Sequence, residues 1–197
     1  MLLQKLQPDI HHRRTTVCTE LQALMEEGGF FERLSFSDEC TFHLCGNVNT
    51  HNVRIWGTEN PKSVVEVARE SPKVNVFCAV STFKVYVPFF FSQPTVTGIA
   101  FLDVLTEWLL LQLNEDSADF ILQMDGAPPH FHRHVREFLN QYLPQRWIGC
   151  GTVDDQMLLA WPPRCPDATP CDFFQWSYVK YQVYVPLLPE NTPELKV

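Results

Sequence analysis

The chain has 197 residues, 45% of them apolar and 13% aromatic, enough for one well-packed domain and too hydrophobic for a disordered chain. Its net charge of −8 and lack of any dense Lys/Arg run argue against a protein that grips nucleic acid mainly through a basic surface. The longest apolar stretches, around residues 108–111 and 89–91, are far too short to span a bilayer, and MLLQKLQPDIHHRR has no signal-peptide pattern.

Along the chain, Val17, Leu21, Leu24 and Met25 recur at helical spacing until Gly28-Gly29 ends the pattern. In LSFSDECTFHL, strand alternation sets Leu34, Phe36, Asp38, Cys40, Phe42 and Leu44 on one face, and Ser35, Ser37, Glu39, Thr41 and His43 on the other. After a turn at Gly46-Asn47, HNVRIWG reads as a short strand. VNVFCAV and KVYVPFFF follow closely enough to form a hairpin. Ile99, Leu102, Leu105, Leu109 and Leu113 trace an amphipathic helix ending near Asn114. DFILQM is a buried strand, and HRHVREFLNQYL a helix with Val135, Phe138, Leu139 and Tyr142 inward. QRWIG is another strand, and the Pro-rich AWPPRCPDATP leads into the aromatic helix CDFFQWSYVKY. Strands first and βα alternation afterwards predict an α/β domain with a mixed sheet. The seven cysteines are odd in number and scattered, with no C-x-x-C, as expected for reduced thiols of an intracellular protein.

Three acids stand out. Asp38 falls on the apolar strand face, where a carboxylate must be protonated, paired or metal-bound unless a register irregularity releases it to solvent. Glu39, opposite, reads as a solvated strand residue. Asp125 ends a buried strand, where ligands collect in open α/β sheets, although Asp-Gly is also an ordinary turn opening. Asp172 lies in a helix first turn behind Thr169 as N-cap and Pro170, a position the helix dipole favours for any acid. Asp167, just before, reads as a turn residue. His130 and His134 would sit one helical turn apart, as a zinc pair does, but no further ligands follow at zinc spacing; His132 and His134 read as surface residues of that helix.

The segments FSDECTFHL, QMDGAPPHFHRHVREFL and WPPRCPDATPCDFF together resemble the three motifs of the catalytic domain of mariner-like cut-and-paste DNA transposases. HNVRIWGTENP and DFFQWSYVK resemble members of that group as well, so the likeness runs from about residue 30 onward. The resemblance implies an RNase H-like fold, a mixed five-stranded sheet flanked by helices with a helical N-terminal extension. It implies a catalytic, metal-binding triad of Asp38, Asp125 and Asp172 that holds two Mg²⁺ or Mn²⁺ ions, with Asp38 bridging and Asp167 not a ligand. His130, carried over from the second motif, would fix its loop or touch substrate. The implied reaction is cleavage and strand transfer of DNA phosphodiesters during transposition and integration. Its partners are transposon-end and target DNA and a second subunit, with no membrane and no nucleotide cofactor, in the nucleus.

The chain departs from the pattern. By the resemblance, residues 1–30 are a helical remnant of the linker before the catalytic domain, and residues 31–197 are that domain, incomplete at its C-terminal end. The helix-turn-helix modules that precede it in the family are not in this sequence. The Asp125–Asp172 spacing is longer than usual, with the extra length around GCGTVDDQMLLAWPPR, and Cys165 stands where Ser is usual. A catalytically silent relic or a domesticated nucleic-acid-binding or interaction protein is therefore the alternative. A zinc module built on the histidines and some cysteines is the third reading.

Overall fold

The structure, a computed structural model, describes residues 9–46, 71–163, 165–184 and 189–196. Helices α1 (Ile10–Glu26) and α2 (Phe30–Arg33) lead into β1 (Leu34–His43), followed by the hairpin β2 (Lys73–Ser81) and β3 (Val85–Phe90). Next come α3 (Gly98–Val104), a π-helical turn at Leu105–Leu109 and α4 (Leu110–Asp116), together one continuous helix. The chain continues through β4 (Ile121–Gln123), α5 (Arg133–Tyr142), β5 (Trp147–Gly149) and β6 (Leu159–Ala160). A second π-helical turn at Cys171–Gln175 opens α6 (Trp176–Val183), and α7 (Thr192–Leu195) closes the described chain. The expected strand in HNVRIWG lies outside the described residues.

The strands form one mixed sheet in the order β3-β2-β1-β4-β5-β6. β1, β2 and β3 pair antiparallel; β4, β5 and β6 add in parallel on the other side of β1. The sheet therefore has six strands where five were expected. The additional one, β6, lies in the segment read as a Pro-rich insertion.

Both faces of the sheet are covered, which explains the nearly unbroken apolar run of β2. Phe77 and Ala79 point into a core shared with α3, α4 and α5, while Val74, Val76 and Cys78 point to α6 and α7. Trp108 and Phe101 meet Phe77 edge to face, with centroids 5.9 and 5.8 Å apart, the geometry aromatic quadrupoles favour. A third cluster seats Val17, Leu21 and Leu24 of α1 on Leu34, Ile121, Ile148 and Trp161, so the N-terminal helix is part of the sheet's packing. Thr97 caps α3 by accepting from the Ala100 amide at 3.2 Å. A Cβ at Gly98 would stand 2.3 Å from His132 Cβ, so only glycine lets α3 and the start of α5 approach this closely.

Two helix expectations change. Tyr142, expected inward, is 56% exposed, because α5 buries the stripe of Val135 and Leu139 with Phe138 beside it, and Tyr142 falls past its edge. The helix begins at Arg133, one residue after the expected start, so the start near His130 that a zinc pair would need does not occur. His132 is its N-cap, with Nδ1 accepting from the His134 amide at 3.3 Å, so His130 and His134 do not share a helical turn.

The long stretch after β5 is well anchored. Asp155 accepts hydrogen bonds from the Thr152 amide (2.6 Å), Arg136 Nη1 (2.6 Å) and Asn140 Nδ2 (2.7 Å). Asn140 Oδ1 accepts in turn from the Gln156 amide at 2.9 Å. A Cβ at Gly151 would lie 2.8 Å from Asp155 Oδ2 and 2.7 Å from Met157 Sδ, so the tight turn requires glycine. From that anchor the chain runs back along β5 as β6. No helix among the described residues is long and apolar enough to cross a membrane.

Candidate active site

The pairing of β1 with β4 puts two of the acids side by side. The register Leu34↔Ile121, Ser35↔Leu122, Phe36↔Gln123, continued two residues, sets Asp38 level with Asp125. Asp125 lies just beyond the carboxyl end of β4, where the chain leaves the sheet. It also makes the turn expected of an Asp-Gly pair, accepting from the Ala127 amide at 2.9 Å. Both readings of this residue hold at once. Asp172 arrives from the other side, in the first turn of the π-helical segment before α6. The Thr169 carbonyl accepts from the Asp172 and Phe173 amides at 3.0 and 3.1 Å and starts that turn. One-turn π segments of this kind recur at functional sites.

Asp38 is 6% exposed, so no register irregularity releases it to solvent. Trp176 Nε1 donates to its Oδ2 at 2.7 Å. Burial and the negative charges of Asp172, Glu39 and Asp125 push its carboxyl up to about 8 against that one hydrogen bond. Asp172 is also raised, by burial and then by Asp125, and it lies within hydrogen-bonding reach of Asp38. Burial and neighbouring negative charge thus raise both carboxyls together. Asp125 differs. Burial opposes its charge, but the hydrogen bond and charge of His130 outweigh burial and hold its carboxyl below the usual range.

His130 is 2% exposed and lies between two carboxylates. Its Nδ1 is 2.7 Å from Asp125 Oδ1, and its Nε2 is 2.9 Å from both oxygens of Glu39. Burial disfavours the imidazolium, yet Glu39 and Asp125 raise the ring well above the usual histidine value. Glu39 is therefore not the solvated residue expected. The face it shares with Ser35 and Ser37 is covered by α3 and α5. The signal was present in the sequence, since the amphipathic helix from Ile99 to Leu113 needs a sheet face to pack on. Trp176, read only as part of an aromatic helix, had no comparable signal.

The remaining candidates lie elsewhere. Asp167 is exposed and ion-paired with Arg14 of α1. The rings of His132 and His134 pack edge to face, 5.2 Å apart. All seven cysteines are free thiols.

The chemistry of the three acids suits a hard divalent cation, which takes carboxylate oxygens, water and phosphate oxygens and needs neither Cys nor His. Among the described residues no Lys or Arg forms an ion pair with Asp38, Asp125 or Asp172. Their mutual repulsion is what a bound cation relieves. Among the described residues no group of three or more His, Cys, Asp or Glu side chains is arranged to hold a metal ion. Asp125 is tied back to His130.

No protein-family profile matches the chain, and no curated protein matches it in sequence. Solved structures do match. The Mos1 strand transfer complex superposes with a TM-score of 0.70 at 18% identity, over 100% of this chain and 54% of that one. The Mos1 mariner paired-end complex with Mn gives 0.67 at 19%, over 92% and 51%. The catalytic domain of Mos1 mariner transposase gives 0.61 at 18%, over 92% and 75%. The chain therefore has the RNase H-like fold of the mariner transposase catalytic domain, and it spans about half the length of the transposase chains in those complexes.

Proposed function

We propose that this chain is the catalytic domain of a mariner-like DNA transposase, acting on DNA phosphodiesters with two divalent ions. The observation that carries the reading is the convergence of Asp38, Asp125 and Asp172 on the sheet of this fold, with no Lys or Arg among the described residues paired to any of them. Asp38, on β1, would be the shared ligand, and Asp125 and Asp172 would each hold one ion. Mg²⁺ or Mn²⁺, when bound, activates the attacking oxygen and stabilises the leaving oxygen of an in-line displacement at phosphorus.

The chain's own residues set the geometry for that step. Trp176 orients Asp38 by holding one carboxylate oxygen and leaving the other. His130 fixes the loop of Asp125; being buried, it offers little surface to substrate. With water as nucleophile the acids cleave a strand at the element's end, and with a DNA 3′-hydroxyl they join that end to a target. DNA as partner, a homodimer on paired ends, no nucleotide cofactor and a nuclear location belong to the same proposal. The solved neighbours that support it include a transposase paired-end complex with a left transposon end.

The net charge of −8 favours a second reading, a chain that keeps the fold and binds or interacts without cutting. Nicking of supercoiled plasmid in Mn²⁺ separates the two. The transposase reading expects nicking by the wild-type chain and its loss in Asp125→Ala. Folded wild-type protein that never nicks leaves the second reading.

A further inference from the structure

We propose that Glu39 is a positioning residue that, through His130, ties the Asp125 carboxylate to the strand bearing Asp38 and so sets the site's affinity for its divalent cation. The inference rests on the metal-dependent reading above and names a side chain to which neither that reading nor the three motifs assign a role.

The geometry is a continuous relay of polar contacts. Glu39 comes from β1, one residue after Asp38, but points to the opposite face of the sheet. Both its oxygens lie 2.9 Å from His130 Nε2. The other ring nitrogen lies 2.7 Å from Asp125 Oδ1. The same nitrogen is 3.3 Å from the Asp125 carbonyl oxygen, so the ring holds both the side chain and the backbone of Asp125, while Glu39 holds the ring from its far side. The ring has no freedom to turn away, because Phe101 packs against it with centroids 4.3 Å apart and almost none of it is exposed.

Asp125 needs such a tether. It stands past the end of the three-residue strand β4, at the start of a loop, with no strand partner of its own. His130 and the Ala127 amide both occupy Oδ1, which leaves Oδ2 directed to other partners. The tether runs to β1, an inner strand of the sheet paired on both sides. The spacing between Asp125 and Asp38 is then set by a rigid strand and a packed ring instead of by the loop. Partners behind a metal's direct ligands commonly control affinity in this way.

The test is Mn²⁺ titration of plasmid nicking, with Mn²⁺ binding to the metal-free chain followed by electron paramagnetic resonance. The variants are Glu39→Gln, His130→Asn and the double substitution. Glu39→Gln is expected to raise the Mn²⁺ midpoint about tenfold or more while recovering most of the wild-type rate at saturating Mn²⁺. A merely structural role would lower the melting temperature and the active fraction and leave the midpoint where it was. His130→Asn keeps a donor near Asp125 but cannot span to Glu39, so the double variant should have the midpoint of His130→Asn alone. Additive shifts would mean that Glu39 acts on the cluster directly by its charge, and would overturn the proposal. So would an unchanged midpoint in Glu39→Gln when wild type binds Mn²⁺ and nicks. If Glu39→Gln does not fold, the midpoint of His130→Asn decides, with a wild-type value overturning the proposal. Wild type that neither binds Mn²⁺ nor nicks sinks the metal-dependent reading itself, and this proposal with it.

Discussion

Asp38 and Asp155 are the same residue type, the first deeply buried and the second partly exposed with its side chain turned inward, and their surroundings do opposite things. Around Asp155 burial opposes the charge, but the Thr152 amide, Asn140 and Arg136 outweigh it and hold the carboxyl below its usual range. Around Asp38 one indole N–H stands against burial and three acids, and the carboxyl rises to about 8. Asp155 is a finished structural anchor for the turn between β5 and β6. Asp38 is left without compensation, which natural folds rarely tolerate outside functional sites. Deep burial together with the missing partner marks the site.

The contrast breaks most sharply under substitution. Asp38→Asn should reduce plasmid nicking by roughly 10²–10³-fold or more, as loss of a group that stabilises transition-state charge does. In EDTA its melting temperature should equal or exceed that of wild type, because the change removes a repelled carboxylate. A Tm well below wild type would mean that Asp38 is a structural group like Asp155. Next in size, Asp155→Ala should cost about 2–4 kcal/mol in urea unfolding, since it strands the mostly buried Arg136 guanidinium. Nicking per folded molecule should survive that change, and a selective loss of activity would erase the distinction drawn here.

The smallest effect is the pH slope of stability in metal-free protein. Between the ordinary carboxylate range and about pH 8, the folded chain keeps the Asp38 proton that the unfolded chain has lost. Stability from this pair is thus full at low pH and falls as pH rises through that window, by up to about 1.4 kcal/mol per pH unit. The lowered Asp155 has the opposite sign: its contribution is present above the usual carboxylate range and is lost as pH falls through its folded value. Melting curves in EDTA for wild type, Asp38→Asn and Asp155→Asn check both signs. Asp38→Asn should flatten the neutral-pH slope, and Asp155→Asn should remove part of the acid-side loss.

Much of the architecture was legible because it is written in local periods. The alternation of LSFSDECTFHL, the hairpin after it and the helix from Ile99 each appear where their patterns set them. The inward place of Asp38 followed from alternation alone. What failed did so for a shared reason. Glu39 was assigned to solvent because alternation separates two faces but does not say that both are covered. The helix HRHVREFLNQYL begins within one residue of its expected start, and because His132 caps it, His130 is left outside the helix and turns inward. β6 was hidden in a Pro-rich stretch because two residues of parallel strand leave no periodic trace.

The sequence by itself determined the elements, the motif resemblance and the burial of one acid, since each depends on neighbours within a few residues. Only the tertiary structure decided which charges meet. The level register of Asp38 and Asp125, the Trp176 indole on Asp38 and the His130 ring between Asp125 and Glu39 join residues 87, 138 and 91 positions apart. Electrostatic compensation falls off with distance in space, not along the chain, so whether a buried acid is anchored or left without a partner is settled only when the sheet has formed and both its faces are covered.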